Sequence, residues 1–428
     1  MGFWILESSS LEHVPGTTVL DEKSAHAEDH TGHLKHAPGR PELILVPQPS
    51  DDPNDPLNWY LTPLKPTILT FRPQWQKEFY TFVVSILAMV GTGTLGPILT
   101  PGATQIITEF DTDFTHVAVL TGYQLLSIAC IGPIVVVIAR VWGKRGVFVI
   151  SSWVIIIGVI VAASAQTYNA LLAGRIIQGL GGACFEGIVT PFIGDMFFVH
   201  QRGTRIAAYT MSLWTGSMFG LIPTGVITQN LGWRWTFIIA GIFLAVFATL
   251  LTLFVPETAY NRAAVYELDV NGDHGIDTLN AKRAVVEDEV KDTEATRTAT
   301  TTQYGPRKSW SQRITLYSGR FSPESPIKLI LRPWALLLHL PLFWNMLFTG
   351  MSQVFSVGIS YLIPQVYGVP PYNLNSAQLG YIGAGPVVGV ILAAAFSALT
   401  FDRVATWAAR RNHGIYEVLC PVNLFLTV

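Results

Sequence analysis

Between Lys328 and Arg332 on one side and Asp402 and Arg403 on the other, residues 333–401 run for 69 positions without one Asp, Glu, Lys or Arg. A domain dissolved in water needs charge on its outward faces at every turn or two, whereas a bilayer-crossing helix needs about 20 mainly apolar residues to cover roughly 30 Å of hydrocarbon. The run is long enough for two crossings and a turn. Half of the 428 residues are hydrophobic and 13% are charged, which excludes a disordered chain and argues against a soluble enzyme. The expected fold class is all-α, a polytopic membrane helical bundle.

Other charge-free stretches occupy residues 79–108, 114–139, 147–174, 206–233 and 235–256, and residues 171–198 are apolar apart from Arg175, Glu186 and Asp195. Allowing for loops, these predict six helices before Glu257. Residues 334–364 and 376–400 predict helices seven and eight, joined by Gly368-Val369-Pro370-Pro371-Tyr372. The expected domains are a disordered tail over 1–77, rich in His, Pro and Asp, and a complete six-helix bundle over 78–256. A linker carrying both signs of charge then covers 257–332, and a partial second bundle covers 333–428. About eight spans are visible, because the closing 11 residues, 418–428, reach only about 16 Å as helix.

Loop charge sets the expected orientation. Arg140, Lys144 and Arg145 lie between spans two and three, Arg202 and Arg205 between four and five, and Arg403, Arg410 and Arg411 after eight. The alternate loops hold Glu109, Asp111 and Asp113, then no charge around Tyr168, then a lone Arg234. Basic loops mark the cytoplasmic side, which puts the N terminus, linker and C terminus in the cytoplasm, with the plasma membrane as the expected location. Cys130, Cys184 and Cys420 show no pairing or metal-ligand spacing and read as small core residues. Asp269, Asn271, Asp273 and Asp277 imitate a calcium loop, but Gly275 is one place late and Asn280 replaces the bidentate Glu. No phosphate-cradling G-x-x-x-x-G-K-[ST] and no H-E-x-x-H is present, so ATP-driven transport and zinc proteolysis lack their parts.

The fourth span carries the most specific pattern, Gly174 to Ala183 with Gly179 and Gly182 on a small-residue stripe that admits a neighbouring backbone. Arg175 is an ion inside hydrocarbon, so it faces either a partner or a wet cavity; the alternative is a packing seam with Arg175 reaching the outer interface. Glu186, about three turns further along the helix, is the only acid in the middle of a span. It is a candidate for protonation coupled to substrate release, against a neutral Glu hydrogen-bonded into the bundle. Gln124, Trp214, Asn345, Gln353 and Tyr361 are candidates to line a midplane cavity, each with a plain packing role as the alternative.

Several pieces in order resemble the major facilitator superfamily, and within it the fungal drug:proton antiporter-like branch. Asp55-Pro56-Leu57-Asn58-Trp59 is similar to its pre-membrane signature, Gly174-Arg175-Ile176-Ile177-Gln178-Gly179-Leu180-Gly181-Gly182 to its fourth-helix motif, and Gly232-Trp233-Arg234-Trp235 to its start of helix six. Val255-Pro256-Glu257-Thr258 is similar to the end of that helix, and residues 409–417 to the loop after helix eight. The resemblance spans about residues 51–417. It implies a secondary active transporter that exports a small organic molecule by alternating access, coupled to protons. By that resemblance Arg175 would be the fourth-helix arginine linked to proton coupling. Asp195 would latch the loop after helix two through Gly143, Lys144 and Arg145.

This chain departs from the family in three places. Arg140 stands where the loop motif has Asp, and in helix five the ladder Gly216, Gly220 and Gly225 is kept while its Pro is displaced to Pro223. Residues 60–72 intervene before Pro73, and the chain closes where a ninth helix is expected, so about four C-terminal helices are expected to be missing. Expected partners are the lipid bilayer, a small-molecule substrate and protons, with no nucleic acid, cofactor or metal, and the chain is expected to act as a monomer. The alternative from another class is a truncated, transport-dead membrane protein acting as receptor or regulator; an intramembrane enzyme lacks its paired catalytic groups.

Overall fold

A computed structural model describes residues 75–260 and 309–392 apart from 318 and 323, together with the short stretches 17–19, 36–37, 40–44, 55–57, 61–65, 68–71, 396 and 415–417. The calcium-like loop, Cys420 and residues 418–428 lie outside the described residues, as does most of the tail. The architecture is an all-α membrane bundle; its strands are isolated antiparallel pairs of two to five residues, such as Leu61–Lys65 with Ile68–Phe71.

Five helices are long and apolar enough to cross a membrane: Phe114–Trp142, Lys144–Ala163, Tyr168–Met196, Trp233–Phe254 and Leu342–Tyr367. The other three expected spans are interrupted. Span one is α1 (Trp75–Ala88), which widens into a π-helical turn over Met89–Thr94, MVGTGT, before a turn and the short α2 (Ala103–Phe110). Glycine and threonine hold an α-helix weakly, and Pro97 and Pro101 supply no N–H to continue it. The span therefore ends well before the expected residue 108. Span two is α3 (Phe114–Trp142) and span three is α4 (Lys144–Ala163). Span four is α5 (Tyr168–Gly187) with α6 (Val189–Met196). Span five is split at Gly220 into α7 (Val199–Phe219) and α8 (Leu221–Leu231), and span six is α9 (Trp233–Phe254).

Gly143 and Gly232, at φ of 107° and 92°, make the abrupt reversals from α3 to α4 and from α8 to α9. Span one starts at Trp75, ahead of the expected boundary at 78, because Lys77 is taken into the helix with its charge satisfied. Its amine donates to the carbonyls of Met196 (2.7 Å) and Leu57 (3.4 Å).

After the short α10 (Trp310–Arg313), α11 (Pro326–Leu336) crosses the expected linker boundary at 332. Span seven, α12 (Leu340–Tyr367), therefore begins six residues later than the expected residue 334. Pro326 at the helix start and the alternation of apolar and basic residues make α11 a separate amphipathic helix, so the charge-free run opens in its last turn rather than in the span. Span eight begins as α13 (Ser376–Ile382), with Asn375 and Gln378 in a reciprocal capping box, and its apolar helix continues to Leu392.

The core lies among α1, α3 to α7 and α9. Phe148 packs on Phe185 and Phe192 at ring separations of 5.8 and 5.4 Å. α5 sits at the centre because its glycines let its neighbours' backbones touch it. A Cβ on Gly181 would lie 2.6 Å from the Ser151 carbonyl of α4, and one on Gly179 would collide with the Gln124 carbonyl of α3. On the outside, Ile150, Ile157, Ile160, Ile242 and Val246 are each more than half exposed, as expected where the solvent is lipid.

Candidate functional site

The α3–α4 and α6–α7 loops mark one end of the bundle, the basic end; the α2–α3, α5 start and α8–α9 connections mark the opposite end. The π-turn of span one explains Arg175. In the turn that follows, the Thr100 N–H bonds to the Pro97 carbonyl instead of Gly96, and the carbonyls of Leu95, buried, and Gly96, half-buried, accept from side chains. Arg175, on α5, has no exposed surface and donates to both, at 2.6 and 2.7 Å, and also to Thr121 Oγ1 (2.9 Å) and Gln178 Oε1 (3.1 Å). Gln178 in turn donates to the Gly158 carbonyl of α4. The guanidinium thus ties the end of span one to α5 and, through its partners, to α3 and α4; it does not reach the outer interface. Its Nε has no partner among the described residues.

Thr121 is shared with the hydroxyl of Tyr361, on α12, so the Arg175 network continues into the second group of helices. Nearby, α8 and α13 meet on glycine: a Cβ on Gly225 would lie 2.6 Å from the Ser376 carbonyl and 2.8 Å from Gly380 Cα, and Gln229 Oε1 accepts from Ser376 N at 3.1 Å. These contacts all lie toward the opposite end. Away from them, Trp344, Phe348 and Met351 in the first half of α12 are exposed.

The space between the two groups of helices is a cleft of about 680 Å³, counting the solvent at its mouth. Its walls include Thr92 and Gly93 from the π-turn, Glu186 from α5, Trp214 and Ser217 from α7, and Gln353 and Tyr361 from α12. Glu186 is its only acid and is exposed into it. The other two cavity candidates sit elsewhere. Gln124 is almost fully buried where α3 packs on α5, since the close approach at Gly179 turns that face of α3 inward, and Asn345 is exposed on the first half of α12.

Small residues position the cleft. A Cβ on Gly216 would collide with the Met89 carbonyl, one on Gly220 would lie 2.6 Å from Thr94 Cγ2, and one on Gly182 would lie 3.0 Å from Thr92 Cγ2. The ladder of span five therefore seats the π-turn of span one, while Gly225 faces the second group. Pro223 is the third residue of α8, just beyond the break at Gly220, so the displaced proline stands at the start of a helix, where it costs no hydrogen bond.

At the basic end, Lys144 Nζ pairs with Asp195 Oδ2 at 2.5 Å and also donates to the Pro191 carbonyl. Gly143 supplies the turn rather than a contact to Asp195. Arg145, expected in the same latch, turns the other way and donates to the carbonyls of Thr252 (2.6 Å) and Val255 (2.8 Å). Those carbonyls are the orphans at the end of α9, where the helix dipole favours a cation. Glu257 then closes the arrangement by accepting from the backbone N–H of Lys144 (3.0 Å) and Arg145 (3.1 Å) at the start of α4. Arg140, standing where the family has Asp, pairs with Glu324 at 3.3 Å.

The sequence reading missed Thr121, Glu257, Lys77 and Gly380. Glu257 had a signal in Val255-Pro256-Glu257-Thr258, an acid just beyond a helix end and facing another helix's start, but the partner is 113 residues away. Nothing in the sequence marks Thr121 among the other hydroxyls.

A cleft walled by both groups of membrane helices is the arrangement of a membrane transport protein. The family model described as Major Facilitator Superfamily matches residues 81–426, and the chain belongs to that family of secondary transporters, whose members bind small-molecule substrates and are not enzymes. Among its relatives, an uncharacterized MFS-type transporter of Schizosaccharomyces pombe is 23% identical over 458 residues, covering 97% of this chain and 75% of that one. The MFS transporter fsa7 of a Fusarium species is 26% identical over 391 residues, 90% of this chain and 68% of its own. The efflux pump radE of Floropilus chiversii is 26% identical over 252 residues, 58% of this chain and 43% of its own.

Proposed function

We propose that this chain is a proton-coupled exporter of a small organic molecule, acting as a monomer in the plasma membrane with its N terminus, linker and basic loops in the cytoplasm. Residues 78–256 and 333–428 serve as the two rocking halves, and 257–332 as the linker between them. The observation that carries the proposal is Glu186, an acid exposed into the cleft on the same helix as Arg175, which is tied through Thr121 to Tyr361. An acid in that position exchanges its proton with whichever side the cleft faces, and binding of a proton competes with binding of substrate at the same walls. The efflux pump among the relatives supports export, and the alternation of basic loops supports the orientation. In the outward swing the Thr121 to Tyr361 bond and the Gly225 to Gly380 seam part, while the basic end closes.

Proteoliposomes holding the full chain test this. A panel of fluorescent organic compounds is screened with and without a pH gradient, and at least one is expected to accumulate only while the gradient stands. No flux of any compound under either condition would remove the proposal. In Glu186→Gln, gradient-driven accumulation is expected to fall by roughly tenfold or more, the loss of about 1.4 kcal/mol of coupling, while downhill exchange persists. Equal losses of both would assign Glu186 a structural role.

A further inference from the structure

The amphipathic helix α11 presents three faces. Leu329 and Ile330 pack on Val137 and Val141 near the basic end of α3. On the face next to it, Ile327, Leu331 and Trp334 form a stripe at spacings of four and three residues and are 70, 60 and 60% exposed, and Leu338, 89% exposed, follows in the turn after the helix. Lys328 and Arg332, one turn apart, stand on the third face beside the stripe and are exposed. Three large apolar side chains in one row are unusual for a helix facing water, and a row of cations beside them is unusual for a helix buried among spans.

We propose that α11 is an interfacial anchor lying along the bilayer surface at the basic end, with the stripe sunk at the acyl boundary and Lys328 and Arg332 holding anionic phospholipid headgroups. Two observations fix the depth and the charge. α11 rests through Leu329 on Val137 and Val141 in the last turns of α3, a membrane-spanning helix that ends at Trp142, 38% exposed, so α11 lies where a span meets the membrane boundary. Arg140 and Arg332 converge on the single carboxylate of Glu324, at 3.3 and 2.9 Å, while their side chains remain 58 and 60% exposed. With Lys328 this leaves an excess of positive charge facing the plane where headgroups lie. Because Glu324 bridges α11 to Arg140, three residues before Gly143, lipid bound at α11 bears on the α3–α4 loop. The inference requires only that α3 spans the bilayer, and it is independent of substrate and proton coupling.

The test uses the full chain in nanodiscs of phosphatidylcholine, with and without phosphatidylglycerol. Spin labels are introduced through Leu331→Cys, Trp334→Cys or Lys328→Cys in a variant whose native cysteines are serine. Labels at 331 and 334 are expected to be reached by oxygen and shielded from a water-soluble nickel chelate, and the label at 328 to be reached by the chelate. Labels at 331 and 334 shielded from both would mean that protein covers the stripe, and labels open to the chelate would mean that it faces water; either overturns the anchor. Spin-labelled phosphatidylglycerol is expected to be retained over phosphatidylcholine by roughly fivefold per engaged cation, and Lys328→Gln with Arg332→Gln is expected to abolish that preference. An undiminished preference in the double variant, or displacement of the lipid by inorganic phosphate, would overturn the headgroup assignment. Transport is read in neither arm, so loss of the export proposal leaves this result standing.

Discussion

The two ends of the bundle are held by different chemistry. At the opposite end a fully buried Arg175 is matched to backbone carbonyls and one hydroxyl, and the two helix groups touch through glycine, with no ion pair between them among the described residues. At the basic end, partly exposed ion pairs do much of the joining, Lys144 with Asp195, Arg205 with Glu78 and Arg140 with Glu324, beside the buried Arg145 on the carbonyls at the end of α9. The first kind of contact is unforgiving, because a buried donor or backbone approach has one solution; the second tolerates water and exchange. An alternating-access protein needs both, a fixed scaffold within a half and contacts that part at modest cost. Here Arg175 anchors the scaffold while Thr121, its partner, carries the contact that must part.

The largest effect is therefore expected at Arg175. Arg175→Ala removes the donor to the buried Leu95 carbonyl and leaves Gly96 O with only Thr121, and is expected to cost roughly 3 kcal/mol, read as lost folded yield and lower thermal stability in detergent. Arg175→Lys keeps a charge but offers no fork to reach both carbonyls, and recovers only part. A stable Arg175→Ala protein would dissolve the contrast between the ends. Next comes the glycine seam. Gly225→Leu pushes a side chain into the Ser376 carbonyl and is expected to cost about 1–3 kcal/mol, but only in the state closed at that end. Cysteine accessibility near Gln229 should rise accordingly. Gly122→Leu, on a helix face with nothing within 4 Å, is the control and is expected to change neither stability nor accessibility.

The contrast also governs what could be read from the sequence. The all-helical membrane class and the placing of its apolar helices were legible because lipid imposes a composition on every residue of a span, whatever its neighbours. Helix ends were less so: α11 and the start of α1 carry charges that tertiary partners satisfy, so hydropathy alone set the boundaries at Pro333 and Glu78. At the site, Arg175 stood out because a charge in hydrocarbon is rare, but its partners are main-chain oxygens of another helix, which no side-chain pattern encodes. Arg145 was grouped with Lys144 by adjacency, yet neighbours on a helix start point about 100° apart, which is why one meets Asp195 and the other the end of α9. Cavity candidates on α3 and α12 were separated from true lining residues only by which way each helix turned.

Smaller effects belong to the basic end. Glu257→Ala removes the acceptor for two N–H groups at the start of α4 and is expected to cost about 1–2 kcal/mol, comparable to loss of a helix cap. Asp195→Asn, with side chains 12 and 27% exposed in the pair, is expected to cost about 1 kcal/mol or less. Hydrogen exchange over residues 143–146 distinguishes them: it should accelerate strongly in the first variant and weakly in the second. The reverse order would make the Lys144 pair, rather than the Glu257 cap, the chief tie of this loop.

The smallest effect is at the opposite end, where a surface ion pair lies within the first group of helices. Glu109, on α2, accepts from Trp233 Nε1 at 2.7 Å and pairs with Arg234 at 2.6 Å, and Arg234 also donates to the Ala165 carbonyl. Desolvation pushes the Glu109 carboxyl up, but the hydrogen bonds from Arg234 and Trp233 and the Arg234 charge outweigh it and hold it below its ordinary 4.5. A carboxylate held low contributes its stability above its unfolded value, and the contribution fades as pH falls through the folded value. Thermal stability should thus be flat with respect to this group at neutral pH and drop slightly more steeply below about 4.5 in the parent than in Glu109→Gln. With both side chains more than a third exposed, the difference is expected to stay well under about 1 kcal/mol. A large acid-dependent difference between parent and variant would show that this end, too, is held by charge, and the division of labour between the two ends would fail.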